Sequence, residues 1–90
     1  MPTKKRIVLF YKIRKIHKSI YQYSLFRKSG HLFISIEEIE NGKLSFESTI
    51  RDPEYSEKAC LAFITYLADT LTSPKLLQEL YEENNLDRLS

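Results

Sequence analysis

The candidates for nucleophilic catalysis in the sequence are His17, His31 and Cys60. Such catalysis requires a nucleophile, a base and an orienting group held together in space. Cys60 stands between Ala59 and Leu61 in an apolar helical pattern, where a cysteine behaves as a small hydrophobic residue. The two histidines fall in predicted turns or at predicted strand ends. We therefore predict that the chain is not an enzyme and has no catalytic residue.

Metal and cofactor sites have signatures of their own, and the sequence lacks them. Two histidines and one cysteine, widely spaced, do not cluster as zinc ligands do. The acidic run at residues 37–40 lacks the alternating pattern and the glycine of a calcium loop. Gly30 and Gly42 are isolated, so they form neither a phosphate-binding loop nor a dinucleotide-binding fingerprint. We predict no metal, cofactor or small-molecule ligand.

The charge of the chain is distributed unevenly. The formal net charge is +2, but residues 1–30 carry nine Lys and Arg residues and no acidic residue. Residues 31–90 carry the other five basic residues and all twelve acidic ones. An asymmetry of this kind is typical of a surface that meets an anionic partner. It can also mean that a basic sheet neutralises acidic helices of the same molecule, and both interpretations stay open.

The compartment follows from cysteine usage and hydropathy. A lone cysteine cannot form an internal disulfide and fits a reducing environment. The longest uncharged apolar run, residues 7–11, is far too short to cross a bilayer, and no secretory signal is present. Neither a basic amphipathic helix nor a lipidation motif is found. We predict a cytoplasmic protein without a membrane partner.

The elements that position these residues can be read from hydrophobic periodicity. Apolar residues alternate over residues 6–16, which predicts a strand with two partly apolar faces. Further strands are predicted at residues 20–27, 31–39 and 43–50. A helix over residues 6–27 is the rival interpretation, since several apolar residues there also recur at spacings of three and four. The abundance of β-branched and aromatic residues favours strands.

The hairpin around Asn41-Gly42 has a predicted register. We treat residues 40–42 as a three-residue loop, with Gly42 in the left-handed conformation of a bulge. Ile36 then faces Phe46, and Leu32 faces Ile50. This register gathers one apolar face, and a slip by one residue would destroy it. That face is expected to comprise Leu32, Ile34, Ile36, Leu44, Phe46 and Ile50.

Two helices are predicted after the strands. Asp52 is expected to cap the first helix and Pro53 to occupy its first position, giving a helix over residues 53–72 with two apolar stripes. Ser73-Pro74 repeats this signal and predicts a last helix over residues 74–85.

The whole chain, residues 1–90, is therefore predicted to be one α+β domain. A four-stranded antiparallel meander sheet (residues 6–50) is followed by two C-terminal helices, and the long helix packs on one sheet face. Residues 1–5 form a loose start, and residues 84–90 are expected to fray.

Alternation along the strands assigns a face to each candidate binding residue. Lys12 and Arg14 are expected to share the face without the helix with three phenylalanines, so that cations meet phosphates while rings stack on bases. Cations near the turns would extend this surface. The candidate nucleic-acid-binding residues are Phe10, Lys12, Arg14, Lys15, Lys18, Phe26, Arg27, Lys28 and Phe33.

The functional hypothesis is a small non-catalytic binding module that uses a basic, aromatic sheet surface on an anionic partner, with nucleic acid first. The alternative is a protein-interaction or homodimeric adaptor module with no nucleic-acid role. This alternative is favoured by the doubly apolar first helix and by apolar residues on both sheet faces, since such surfaces are often buried in a dimer.

Overall fold

The computed structural model describes residues 5–83. Four strands come first: β1 (Arg6–Ile16), β2 (Ser19–Lys28), β3 (His31–Glu40) and β4 (Lys43–Arg51). The helix α1 (Glu57–Asp69), a short 3-10 turn (Pro74–Leu76) and the helix α2 (Leu77–Glu83) follow. The predicted loose residues 1–4 and fraying residues 84–90 lie outside the described residues, as do the last two residues of the predicted second helix.

The sheet is an antiparallel meander in which the strand order is β1-β2-β3-β4. The predicted α+β class and the order of strands before helices are confirmed, and the rival helix over residues 6–27 is wrong. β1 and β2 are rich in β-branched and aromatic residues, which suit a pleated, half-buried surface. The helix α1 contacts β1 and β2, while the 3-10 turn and α2 lie beside β3 and β4.

The three hairpin loops are each two residues long. In the last two, Ser29-Gly30 and Asn41-Gly42, both residues have a positive φ. That is the geometry of a type I′ turn, whose twist matches that of the flanking strands. Glycine suits the second position because it has no Cβ to strain the left-handed conformation.

The predicted three-residue loop at residues 40–42 is wrong. Glu40 pairs directly with Lys43, and the extra residue of β4 lies inside the ladder, since Glu38 pairs with Phe46 and Ile39 with Leu44. Ile34 therefore faces Ile50. This register differs by two residues from the predicted one, so Leu32, Ile34, Ile36 and Ile50 still share a face. Leu44, on the loop side of the bulge, lies on the opposite face.

The first helix begins later than predicted. Ser56, rather than Asp52, caps it, because the Ser56 hydroxyl accepts a hydrogen bond from the Ala59 backbone N–H at 3.0 Å. Asp52 has a φ of 52° and directly follows β4, with its N–H donating to the Leu32 carbonyl. The helix ends at Asp69. The predicted span, residues 53–72, is therefore too long at both ends.

The second helical segment starts at the predicted signal. The Ser73 side chain accepts a hydrogen bond from the Lys75 N–H at 3.3 Å, and Pro74 follows it. The first turn is a 3-10 turn, and α-helical geometry begins only at Leu77.

The core lies between one face of the sheet and the helices. The sheet contributes Tyr23, Leu25, Ile34 and Ile36, all fully buried. The helical part contributes Ala59, Cys60, Phe63, Ile64, Leu67, Ala68 and Leu77. The shortest dimension of the molecule is 17 Å, which corresponds to two layers. The sheet therefore has one covered face, under the helices, and one open face.

Tyr23 ties the sheet to the connection between the helices. Its buried hydroxyl donates to the Thr72 backbone carbonyl at 2.8 Å. Burial raises the pKa of the Tyr23 phenol above its ordinary value, with a smaller contribution from Tyr21.

We expect Tyr23→Phe to lower the free energy of unfolding by about 1–3 kcal/mol, because it leaves the Thr72 carbonyl buried without its donor. Urea unfolding followed by circular dichroism measures this loss. Tyr66→Phe is the matched control, since the Tyr66 side chain is exposed. Equal unfolding midpoints for wild type and Tyr23→Phe would contradict the structural role of this bond.

Candidate nucleic-acid interface

Strand pairing shows which side chains of β1 lie under the helices. Residues directly opposite one another on neighbouring strands point to the same side of a sheet. Phe10 lies opposite Leu25, and Lys12 lies opposite Tyr23, both of which are core residues of the covered face. Arg14 follows on the same side. The prediction that Phe10, Lys12 and Arg14 share the open face with the other phenylalanines is therefore wrong.

A β-bulge in β1 explains the reversal. Val8 pairs with Phe26, but Phe10 pairs with Leu25, so Leu9 is an extra residue in the ladder. An extra residue changes which side the rest of the strand presents. Without it, Phe10 would lie opposite Ser24 on the open face. Nothing in a simple alternating pattern marks this position.

The cations on the covered face bind the two ends of α1. The Arg14 guanidinium donates to the Ala68 carbonyl at 3.0 Å, and Lys12 lies 3.6 Å from the Asp69 carboxylate. Both interactions place positive charge at the helix C-terminus, where the helix dipole favours it. At the other end, Arg27 donates two hydrogen bonds to Glu57, at 2.8 and 3.0 Å. Part of the basic first third thus neutralises the helix of its own molecule.

These contacts predict a structural role for Arg14. We expect Arg14→Ala to lower the free energy of unfolding by about 1–2 kcal/mol, because a charge-assisted hydrogen bond to the end of α1 is lost. Lys12→Ala, which removes a half-exposed ion pair, should cost less than about 1 kcal/mol. Urea unfolding of the two variants tests the ranking, which a larger loss in Lys12→Ala would overturn.

The open face carries a different group of cations at the end nearest the β2–β3 turn. Here the rings of Phe26 and Phe33 stack, with centroids 5.0 Å apart and planes inclined by 13°. The Arg6 guanidinium lies 3.9 Å from the Phe26 centroid, which is cation–π contact. In the strand register, Lys28 lies opposite Arg6 and Arg51 lies opposite Phe33, so these side chains share the face. We call these five residues the cationic end.

Arg51 belongs to a short polar chain at the border of the cationic end. Arg51 donates to His31 Nε2 at 3.0 Å, and His31 Nδ1 lies 2.9 Å from an Asp52 carboxylate oxygen. Because a guanidinium can only donate, Nε2 accepts and Nδ1 donates to the carboxylate. Arg51 also lies 3.5 Å from Asp52. These contacts hold two nitrogens of the Arg51 guanidinium, Nη2 and Nε, while the side chain as a whole remains exposed.

Three of the predicted binding residues therefore meet at the cationic end: Phe26, Lys28 and Phe33. Lys15 lies on the same face at its far end, opposite Ile20, and Lys18 is in the β1–β2 turn. Sequence reasoning missed Arg6 and Arg51 as site residues. Strand alternation would have assigned both residues to the open face. Arg6 is two residues before Val8, which lies on that face, and Arg51 lies opposite Phe33 in the β3–β4 hairpin.

The rest of the open face is apolar at its edges and polar in the middle. The serine row, Ser24–Ser35–Thr49, crosses the centre of the sheet, with a hydrogen bond of 3.1 Å between Ser35 and Thr49. Next comes the acidic row, in which Gln22, Glu37 and Glu47 lie opposite one another on successive strands. The large apolar side chains of this face are Val8, Tyr11, Ile13, Ile20, Ile39 and Leu44.

Cys60 is the one cysteine of the chain, and its thiol is enclosed in the core. Its Sγ lies 3.8 Å from the Tyr55 carbonyl, to which the thiol donates. Burial raises the pKa of the Cys60 thiol to about 11, with a smaller contribution from the Glu57 carboxylate. Among residues 5–83 the structure has no pocket and no group of three or more His, Cys, Asp or Glu side chains able to hold a metal ion.

The raised pKa of Cys60 predicts a loss of stability at alkaline pH. An unfolded thiol ionises near pH 8.5, so the folded state binds the proton more tightly, and this contribution is lost as pH rises from about 9 through 11. We expect the urea midpoint of wild type to fall more between pH 8 and pH 10.5 than that of Cys60→Ala. Every other ionisable group is present in both proteins, so only the difference between their declines reports on Cys60. Equal declines would contradict the burial of the thiol.

The sequence matches no protein-family model, and comparison with curated proteins and with solved structures gave no match. No helix within residues 5–83 has the length and apolar character needed to cross a membrane. The function of the chain is therefore argued from the geometry of the open face.

Proposed function

We propose that this chain is a non-catalytic module that binds nucleic acid on the open face of its sheet, with the cationic end contacting phosphates. The observation that carries the proposal is the placement of Arg6, Lys28 and Arg51 together on the sheet face that no helix of residues 5–83 covers. Lys12, Arg14 and Arg27 are bound to α1, whereas these three cations lie on the opposite side of the sheet.

The chemistry of the cationic end suits a phosphate backbone. Two of its cations are arginines, whose planar forks bind phosphate oxygens through two parallel hydrogen bonds. Arg6 is held against the Phe26 ring, so less side-chain entropy is lost when it binds. Lys28 is exposed and adds a mobile charge. The acidic row lies on the same face beyond the serine row, and it confines an anionic ligand to the cationic half and its rim.

Base stacking has a different candidate from those that the sequence indicated. The Phe26 ring lies between Arg6 on one side and Phe33 on the other, so a base could reach its face only by displacing a neighbour. Tyr11 lies on the same sheet face and is half-exposed. We therefore assign stacking to Tyr11, and phosphate contacts supply most of the affinity. Binding of this kind has weak sequence preference and steep salt dependence.

The triple variant Arg6→Glu/Lys28→Glu/Arg51→Glu tests the proposal. We expect it to lose more than about tenfold in affinity for labelled single-stranded DNA and RNA at low salt, measured by fluorescence anisotropy. Three lost phosphate contacts should also reduce the salt slope of wild-type binding by about 2. Duplex DNA and duplex RNA are titrated in parallel to identify the preferred form.

The matched control is Lys43→Glu/Lys58→Glu/Lys75→Glu, which changes the net charge equally but at exposed positions outside the open face. It should retain most of the binding. Equal losses in both triple variants would mean that only net charge matters. If wild type binds none of the four nucleic acids at low salt, the proposed function is wrong. Circular dichroism establishes that each variant is folded.

A further inference from the structure

We propose that two copies of this chain associate through their open faces in an antiparallel arrangement, and that this association excludes nucleic acid from the cationic end. The exclusion rests on the function proposed above, whereas the association does not. The occupant of the open face in the free protein is thus a second copy of the chain.

The apolar content of the open face is the first argument. Val8, Tyr11, Ile13 and Leu44 are each about half exposed, at 51%, 50%, 49% and 56%. Ile20 and Ile39 lie beside them and are partly buried. Soluble monomers rarely expose a contiguous apolar surface of more than a few hundred Å². A phosphate backbone would leave these aliphatic side chains in water, whereas a second sheet would bury them.

The size of the face is the second argument. Four strands spaced about 4.8 Å apart, each about ten residues long, form a surface of about 19 Å by 33 Å. Two such faces in contact bury about 1,200 Å² in total, which is the lower end of the range for specific protein interfaces. The dimer is therefore expected to be reversible, with dissociation at low concentration.

The order of the rows supplies the third argument. A two-fold axis that lies in the plane of the interface, crosses the strands and passes over the serine row reverses the strand direction of the second copy. The cationic end then meets the acidic row of the other sheet: Arg51 lies over the partner's Glu47, and Phe33 lies beside the partner's Glu37. An axis parallel to the strands would instead superpose like charges, so charge complementarity selects the antiparallel arrangement.

The centre of the face permits close approach. Ser24 and Ser35 are small and only 3% and 4% exposed, and they form no ridge where the axis passes. On β1, Val8 and Ile13 lie on either side of the serine row at equal distances from it. Val8 of one copy therefore meets Ile13 of the other across the axis. Arg6 and Lys15 lie near opposite ends of β1, so Arg6 of one copy is at the same corner of the interface as Lys15 of the other. The twist of two packed sheets separates these two cations at the corner.

Competition follows from the shared residues. In the dimer, Arg51 faces the partner's Glu47 and the second sheet covers the cationic end, whereas in the complex with nucleic acid the cations of this end face phosphates. One cationic end cannot contact both. Nucleic acid is therefore expected to convert the dimer into monomeric complexes, and a high protein concentration is expected to weaken apparent affinity.

Sedimentation velocity of the full chain between about 2 and 200 μM tests the association. We expect wild type to shift from monomer towards dimer mass over this range. Glu37→Lys/Glu47→Lys should stay monomeric and bind single-stranded DNA more tightly than wild type, because its cationic end is intact. The triple variant Arg6→Glu/Lys28→Glu/Arg51→Glu should also stay monomeric. Mixing these two variants should give a heterodimer, since their faces are complementary in charge. The control variant Lys43→Glu/Lys58→Glu/Lys75→Glu should dimerise like wild type.

Several results would overturn the proposal. A wild-type monomer at 200 μM, or dimers that persist in both charge variants, rejects association through this face. Dimers that persist in both charge variants would indicate association through the exposed edge strand β1 of each copy instead. A complex that contains two chains and one oligonucleotide rejects the exclusion. If the monomeric Glu37→Lys/Glu47→Lys protein binds no nucleic acid, the proposed function and the exclusion both fail, while the masses still decide the association.

Discussion

The structure depends on one geometric constraint: the helices within residues 5–83 cover only one face of the sheet. The α1 helix, with 13 residues, is about 20 Å long, and α2 adds two turns. The four strands present two faces, and these helices pack on one of them. The face that packs on Phe63, Ile64, Leu67 and Leu77 becomes the core. The other face keeps its aliphatic and aromatic side chains in contact with solvent, and both proposals arise from it.

The bulge at Leu9 decides how the positive charge is divided between the two faces. Beyond it, Lys12 and Arg14 turn towards α1 and bind the C-terminal end of that helix. Before it, Arg6 stays on the open face and packs on Phe26. One additional residue thus separates cations that stabilise the fold from cations that can meet a ligand. Of the two causes that composition left open for the charge asymmetry, neutralisation of the helix by cations of the same molecule is therefore present in the fold.

Local signals in the sequence were sufficient for the architecture. Alternation predicts the four strands, Asn41-Gly42 predicts the turn of the last hairpin, and Ser73-Pro74 predicts the start of the last helical segment. Features that depend on distant residues could not be found in this way. Asp52 resembles a helix cap by its type and spacing, but in the fold its side chain binds His31, 21 positions earlier, and Ser56 is the cap. Tertiary contacts therefore decide whether Asp52 or Ser56 caps the helix.

The candidate site shows the same limit more sharply. Phe26, Lys28 and Phe33 were placed correctly because β2 and β3 pair without interruption. Phe10, Lys12 and Arg14 were misplaced because a bulge breaks the alternation of β1. A bulge changes the sequence pattern very little, yet it exchanges the two sides of every residue that follows in the strand.

The order of the elements along the chain has a consequence for biosynthesis. Each strand pairs with its sequence neighbour through a two-residue loop, so the whole sheet is encoded before α1 and can form from local hairpins. During translation, both sheet faces remain apolar and uncovered until the residues of α1 have left the ribosome. The nascent sheet is then vulnerable to aggregation on two sides, and one of them is covered once α1 docks through Arg14 and the connection after it through Tyr23.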